Sequence, residues 1–307
     1  MIALEGENGD YRLYSVREES LPSKTSVICS DLSRSILYSP HLAGRELQER
    51  MEKMSRIFVD VITEKALKGV KLGHLVEFVL LSGGLYYSLA RGFREAHGYA
   101  LPQCFLGIKR QRVEGSEGQF RAVSTYENFE SLPQDASVII GDTVATGSTL
   151  VRAIKELESA MEEKEGKIRK VVVCSLACST EGARKLKKLE EKMAEQGAEL
   201  YLVVAEQLFH LMPDGTDLRF LREDSVMPDE TREYTLQRYG EFLGREMKCA
   251  VFDWGTRCKN PKAHYEEFLC FCDEMLKGGR MDEKGLLEIS GMRAGAQEGL
   301  RAFGRPL

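Results

Sequence analysis

The chain has 307 residues, of which 43% are hydrophobic and 30% charged, with a formal net charge of -5. That is the composition of a globular protein with room for one elaborated domain or a domain plus an extension; it argues against a general nucleic-acid binder and, with apolar runs of only a few residues, against a membrane span. No basic segment leads into an apolar core and cleavage site, so a soluble cytoplasmic protein with no nucleic-acid or membrane partner is the expectation.

The first 40 residues carry no clear period. Residues 45–67 place Leu47, Met51, Met54, Phe58, Ile62 and Ala66 at three- and four-residue intervals, the pattern of an amphipathic helix. Residues 74–81 read as a short strand ending at Ser82-Gly83-Gly84, 85–96 as a helix and 103–109 as another strand. Glu114-Gly115-Ser116-Glu117-Gly118 has the polar, glycine-rich character of the tip of an arm or hairpin. Residues 138–140 form a buried strand, followed by a polar loop and a helix with Leu150, Ile154, Leu157 and Met161 on one face. A strand at 171–177, a helix at 181–196 and a strand at 200–205 repeat the order. This alternation predicts an α/β fold with a central, mostly parallel sheet flanked by helices. After about residue 225 the strand signal fades and 234–243, 263–276 and much of the remainder read as helical. The expected organisation is an α/β domain over 1–224 with a β-arm, and an appended helical C-terminal region over 225–307.

The eight cysteines are scattered, several inside apolar runs, and reduced thiols are expected. A metal site from Cys249, Cys258, Cys270, Cys272 and His264 is a weaker reading. CxxC spacing is missing, and helical residues two apart, such as Cys270 and Cys272, face different ways.

The chemistry concentrates between the strand at 138–140 and its following helix, in Asp142, Thr143, Val144, Ala145, Thr146, Gly147, Ser148 and Thr149. In an open parallel sheet, ligands collect beyond the carboxyl ends of the strands, and loop amides with a helix N-terminus favour phosphate. Hydroxyl residues before a helix are also ordinary caps, so spacing alone leaves both readings open. The loop is neither a Walker A motif nor a dinucleotide fingerprint.

A hydrophobic strand, an acid, then x-x-A-T-G-S-T resembles the signature loop of type I phosphoribosyltransferases. The resemblance implies that Asp142 contacts the ribose hydroxyls and that Thr146 to Thr149 hold the 5′-phosphate of phosphoribosyl pyrophosphate. Two departures stand out. Gly141 lies where the signature usually has a first acid, and Ala145 where some purine enzymes carry an acid proposed as general base. Upstream, Ser82-Gly83-Gly84 resembles the family's pyrophosphate loop. Phe105 to Arg110, Phe129 to Pro133 and Val171 to Gly182 are similar to uracil phosphoribosyltransferases, and the similar stretch runs over about 45–220.

By that resemblance Arg110 is a catalytic cation neutralising the diphosphate, with Lys109 and Arg112 beside it; a solvated β-arm is the plain alternative. Leu211, Met212, Pro213 and Gly215 would read the acceptor base. Asp214 and Asp217 would sit near a diphosphate-bound Mg²⁺, although Pro-Asp-Gly is also a strong turn signal. His210 reads as a packing or turn residue, because nothing in the sequence supplies it a partner. The implied function is Mg²⁺-dependent transfer of a phosphoribosyl group to a nucleobase, best matched to uracil, by a homodimer. The alternatives are another acceptor base, or a regulator that senses the donor without turnover.

Overall fold

The computed structural model describes residues 1–81, 83–112, 120–249 and 254–305, with backbone alone at 110–112, 120–122 and 254–256. Three strands open the chain, β1 (Ile2–Glu7), β2 (Arg12–Val16) and β3 (Thr25–Cys29), followed by helices α1 (Asp31–Leu37) and α2 (Arg45–Lys65). Then come β4 (Leu75–Leu80), α3 (Leu89–His97), the hairpin β5 (Gln103–Arg112) and β6 (Phe120–Asn128), β7 (Asp135–Gly141) and α4 (Ser148–Glu163). Next are β8 (Lys167–Ser175), β9 (Cys178–Ser179), α5 (Thr180–Glu195), β10 (Glu199–Ala205), β11 (Leu208–Leu211) and β12 (Leu218–Arg219). The chain closes with α6 (Asp229–Glu246, kinked at Gly240), β13 (Lys248–Cys249), α7 (Trp254–Lys259), α8 (Pro261–Lys277) and α9 (Glu283–Ala302).

The main sheet has the order β1-β2-β3-β10-β8-β7-β4-β5-β6. The strands from β3 to β5 are parallel, and antiparallel pairs finish both edges. Unbroken apolar runs make the inner strands: β4 is buried throughout and β7 almost so, as helices on both faces require. Leu47, Met51 and Phe58 of α2 and Leu89 and Phe93 of α3 share one hydrophobic cluster with Ile139 and Val172. Ile154 and Leu157 of α4 and Leu186 of α5 pack with Val138, Ile140 and Val173 on the opposite face. The expected fold class is therefore what the chain adopts, with helices toward its C-terminus as expected.

Those C-terminal helices do not stand off from the rest. Tyr239, Leu243, Phe268, Ile289 and Met292 belong to the same cluster as α2. The buried Arg257 donates to Ser39 O (2.6 Å) and Leu42 O (2.6 Å), and His264 Nε2 meets Pro40 O at 2.6 Å. The strand signal also does not end at 225: β13 pairs with β12 in a small second sheet, β13-β12-β11-β9. Two residues are too few to show an alternating pattern.

One local difference bears on the site. Residues 83–86 form a 3₁₀ turn, and α3 begins only at Leu89, after Ser88 in a left-handed conformation (φ 51°). Ser88 makes no side-chain cap. The buried Glu77 of β4 caps the helix instead, its two oxygens accepting from Leu89 N and Ala90 N (3.1 Å each) while Gln103 Nε2 donates at 2.7 Å. Burial raises the Glu77 pKa, and these three donors oppose the rise.

Candidate functional site

The strand order fixes where a ligand crevice falls. From β4 the chain crosses through α3 to β5 on one side; from β7 it crosses through α4 to β8 on the other. The connections diverge between β4 and β7, which makes the carboxyl ends of these two strands the topological switch point, the usual ligand crevice of an open α/β sheet. The turn containing Gly83 and Gly84 follows β4, and the loop from Asp142 to Gly147 follows β7. The two loops touch: a Cβ on Gly84 would lie 3.0 Å from the Gly141 carbonyl oxygen.

The first half of the long loop is structural. Asp142 N donates to Cys174 O (3.1 Å) and Val144 N to Ala177 O (3.0 Å), while Ser179 N donates to Val144 O (2.8 Å). Val144 buries its side chain in the core, so neither its amide nor its side chain faces a phosphate. From Ala145 onward the loop leaves the sheet. Gly147, at φ +70°, turns the chain into α4 and has no side chain to cap it; Ser148 N donates to Thr146 Oγ1 (3.3 Å), which leaves the following first-turn amides for an anion. Thr146 Oγ1 donates to Ser148 Oγ (3.1 Å), and Lys185 Nζ of α5 reaches the same oxygen at 2.6 Å. Lys185 thus brings a cation to the mouth of the loop. Ser148 and Lys185 are 37 residues apart, and no local pattern links them. Helix α5 approaches closely because residue 182 is glycine: a Cβ there would lie 2.5 Å from Ala145 O. Ser179 Oγ also donates to that carbonyl (2.5 Å).

The missing first acid has a physical explanation. A Cβ on Gly141 would come within 2.5–2.8 Å of Cβ, Cγ and Cδ1 of Tyr87, so the aromatic ring occupies the place of a side chain at 141. Tyr87 is buried, its hydroxyl accepting from Leu176 N at 2.9 Å. Burial raises its pKa, opposed by the Leu176 amide and reinforced by the charge of Asp142, so the hydroxyl stays protonated. Tyr87 therefore ties the turn after β4 to the loop after β7. Asp142 itself is buried.

The stretch expected to read a base is a hairpin between β11 and β12. Gly215, at φ +72°, stands beside Thr146 (3.4 Å from its Cγ2 to a built Cβ), so the hairpin tip leans over the loop after β7. Leu211 is buried in the core, while Pro213 is exposed. Both aspartates have work in the turn. Asp214 accepts from Thr216 N (2.9 Å) and Asp217 N (3.0 Å), which lowers its pKa; Asp217 pairs with Arg219 (3.3 Å) and Lys248 (3.1 Å). Among the described residues no group of three or more His, Cys, Asp or Glu is placed to hold a metal ion, and this covers the cysteine cluster as well. The described donors of the loop (hydroxyls, amides and an ammonium) suit an anion, and its one carboxylate, Asp142, does not by itself build a resident metal centre.

His210 differs from expectation. Its Nδ1 lies 2.6 Å from Asp224 Oδ1, so it has the partner that the sequence did not reveal. Lys109 is exposed on β5; Ser82 and the side chains of Arg110 and Arg112 lie outside the described residues, as does the arm tip at 114–118. The cysteines are free thiols, most of them buried. No helix among the described residues is long and apolar enough to cross a membrane.

No family model matches the sequence, and no curated protein matches it. Solved structures to which the chain is similar include adenine phosphoribosyltransferase from Trypanosoma brucei (15% identity, TM-score 0.39, covering 61% of this chain and 85% of that one). Others are hypoxanthine phosphoribosyltransferase from Trypanosoma cruzi (21%, 0.28, 45% and 68%) and hypoxanthine-guanine phosphoribosyltransferase from L. donovani (16%, 0.30, 53% and 83%). At these superposition scores the likeness does not by itself establish membership of that family.

Proposed function

We propose that the chain is a phosphoribosyltransferase that takes phosphoribosyl pyrophosphate as donor and a nucleobase as acceptor. The observation that carries this reading is the meeting of two amide-rich loops at the β4/β7 switch point, with Lys185 at their mouth. One loop suits the 5′-phosphate, through Thr146, Gly147, Ser148 and Thr149 and the first turn of α4. Asp142 then serves the ribose hydroxyls. The Gly83-Gly84 turn with Lys109, and with Ser82, Arg110 and Arg112 by their place in the sequence, serves the diphosphate. Glycosyl transfer asks the protein chiefly to position the reactants and to stabilise charge on the leaving diphosphate, which amides and cations do. Ala145 offers no acid for proton transfer in the loop. Magnesium would enter with the substrate, on diphosphate oxygens and water, since it keeps few protein ligands.

The hairpin tip carrying Met212, Pro213 and Gly215 is the proposed acceptor surface; Leu211, expected there too, is buried in the core beneath it. Uracil is the first acceptor, from the sequence similarity over about 45–220. A purine or another base is the second, favoured by the brevity of the 211–217 stretch. The homodimer is likewise proposed from the resemblance alone. The test is pyrophosphate release from phosphoribosyl pyrophosphate and Mg²⁺ with a panel of bases. Turnover with one base supports the reading and identifies the acceptor. Donor binding without turnover of any base points to the sensing regulator, and absence of donor binding refutes the proposal.

A further inference from the structure

A second concavity, about 740 Å³ in volume, is lined by His210, Arg222, Asp224, Arg232, Glu241 and Arg245, with Leu221, Leu236 and Glu223 completing its wall. None of these residues belongs to the loops at the switch point. The volume falls within the range of small-molecule sites. Its polar groups divide into those already paired and those left over. Arg222 is held by Glu246 (2.8 Å) and by Arg245 O (3.1 Å), and Arg245 by Glu241 (2.7 Å). Among the described residues the side chains of Arg232 and Glu223 make no hydrogen bond or ion pair. His210 and Asp224 are each about one-third exposed (30% and 34%). With Nδ1 committed to Asp224, Nε2 is the remaining polar atom of the ring.

An unpaired guanidinium on a concave wall suits one phosphate or carboxylate. The same lining holds carboxylates, further guanidiniums and the imidazole. A hydroxyl both donates and accepts, so a lining of both donors and acceptors matches several hydroxyls along a carbon skeleton, and Leu221 and Leu236 supply its apolar part. The wall is also tied to the phosphate loop. Thr180 Oγ1 donates to Asp224 O (2.9 Å), and the preceding Ser179 donates to Ala145 O.

We propose that this cavity is a second ligand site, taking a small polyhydroxylated anion of the sugar-phosphate class, with Arg232 on the anionic group and His210 and the carboxylates on the hydroxyls. It stands independently of the proposed transferase reaction. The test is calorimetry of the full chain with glycerol 3-phosphate, ribose 5-phosphate and glucose 6-phosphate as probes, in wild type, Arg232→Ala and Lys185→Ala. The expected result is saturable binding of at least one probe that weakens tenfold or more in Arg232→Ala, survives in Lys185→Ala, and moves the His210 ring resonances on titration. Failure of all three probes to bind overturns the proposal. So does binding lost in Lys185→Ala and kept in Arg232→Ala, which places the anion at the loop. Loss of donor binding in wild type, with cavity binding intact, would sink only the transferase reading.

Discussion

Replacing Gly141 with alanine probes the joint between the two loops, because a single methyl group there has nowhere to go. The new Cβ would lie 2.5 Å from Tyr87 Cβ, 2.6 Å from Cγ and 2.8 Å from Cδ1, whereas ordinary contact begins at 3.4 Å. The ring would have to retreat by about 0.6–0.9 Å, the kind of overpacking that costs about 1–3 kcal/mol. Retreat is opposed by Phe58, whose ring centroid is 6.3 Å away, and by the 2.9 Å bond from Leu176 N to the tyrosine hydroxyl. A shift of that size would break the bond and orphan a buried amide, adding about 1–3 kcal/mol. Together the expected loss is about 2–6 kcal/mol. Urea unfolding followed by both circular dichroism and fluorescence measures it, with coincident transitions justifying the two-state fit. Removing the whole side chain, Cβ included, should relieve the clash, so Tyr87→Gly and Gly141→Ala should couple by more than about 1 kcal/mol in a double-mutant cycle, within the usual range of about 0.5–3 kcal/mol for residues in contact. A Gly141→Ala cost below about 0.5 kcal/mol, or strict additivity, would refute the argument that Tyr87 fills the place of a side chain at 141.

The other expectations concern the helix cap and two histidines, His264 buried and His41 partly so. Glu77→Gln replaces one of the two oxygens that receive Leu89 N and Ala90 N; it should cost about 1–3 kcal/mol and speed amide exchange at the start of α3, and unchanged exchange there would contradict the cap. His41 and His264 are pushed down to about 4 and about 3, by burial first and then by the charge of Arg257, from an ordinary value of 6.5. A folded state with depressed histidine pKa binds fewer protons than the unfolded chain, so stability is full above pH 6.5 and falls as the pH drops toward 4. The loss should be at most about 1.4 kcal/mol per pH unit for each histidine. Urea midpoints across that window should fall less steeply in His264→Gln than in wild type, and parallel profiles would assign the loss to other groups.

What the sequence made legible was what local periodicity encodes. The inner strands and α2, α4 and α5 sit within a few residues of their apolar patterns, because buried strands and amphipathic helices leave a signal in every short window. β1 left none: after Ile2 its side chains are exposed, as befits an edge strand. The start of α3 was displaced from 85 to Leu89 because its cap comes from Glu77, on a strand twelve residues earlier. The hydroxyl-rich loop after β7 was visible as composition. Its partners Lys185 and Tyr87, like Asp224 for His210, are supplied by tertiary packing and carry no mark in the local sequence. The same holds for Gly141: in sequence it is a missing acid, and in the fold it is space given to Tyr87.

The most direct test of the account is the affinity of the full chain for phosphoribosyl pyrophosphate in the presence of Mg²⁺, compared between wild type and Lys185→Glu. Lys185 is exposed and touches Ser148 Oγ, so charge reversal should leave the fold intact. The account predicts wild-type binding in the range of about 1 μM to 1 mM, as for ordinary enzyme substrates, and a weakening of about tenfold or more in the variant. No binding by the wild type, or equal binding by both proteins, would contradict it.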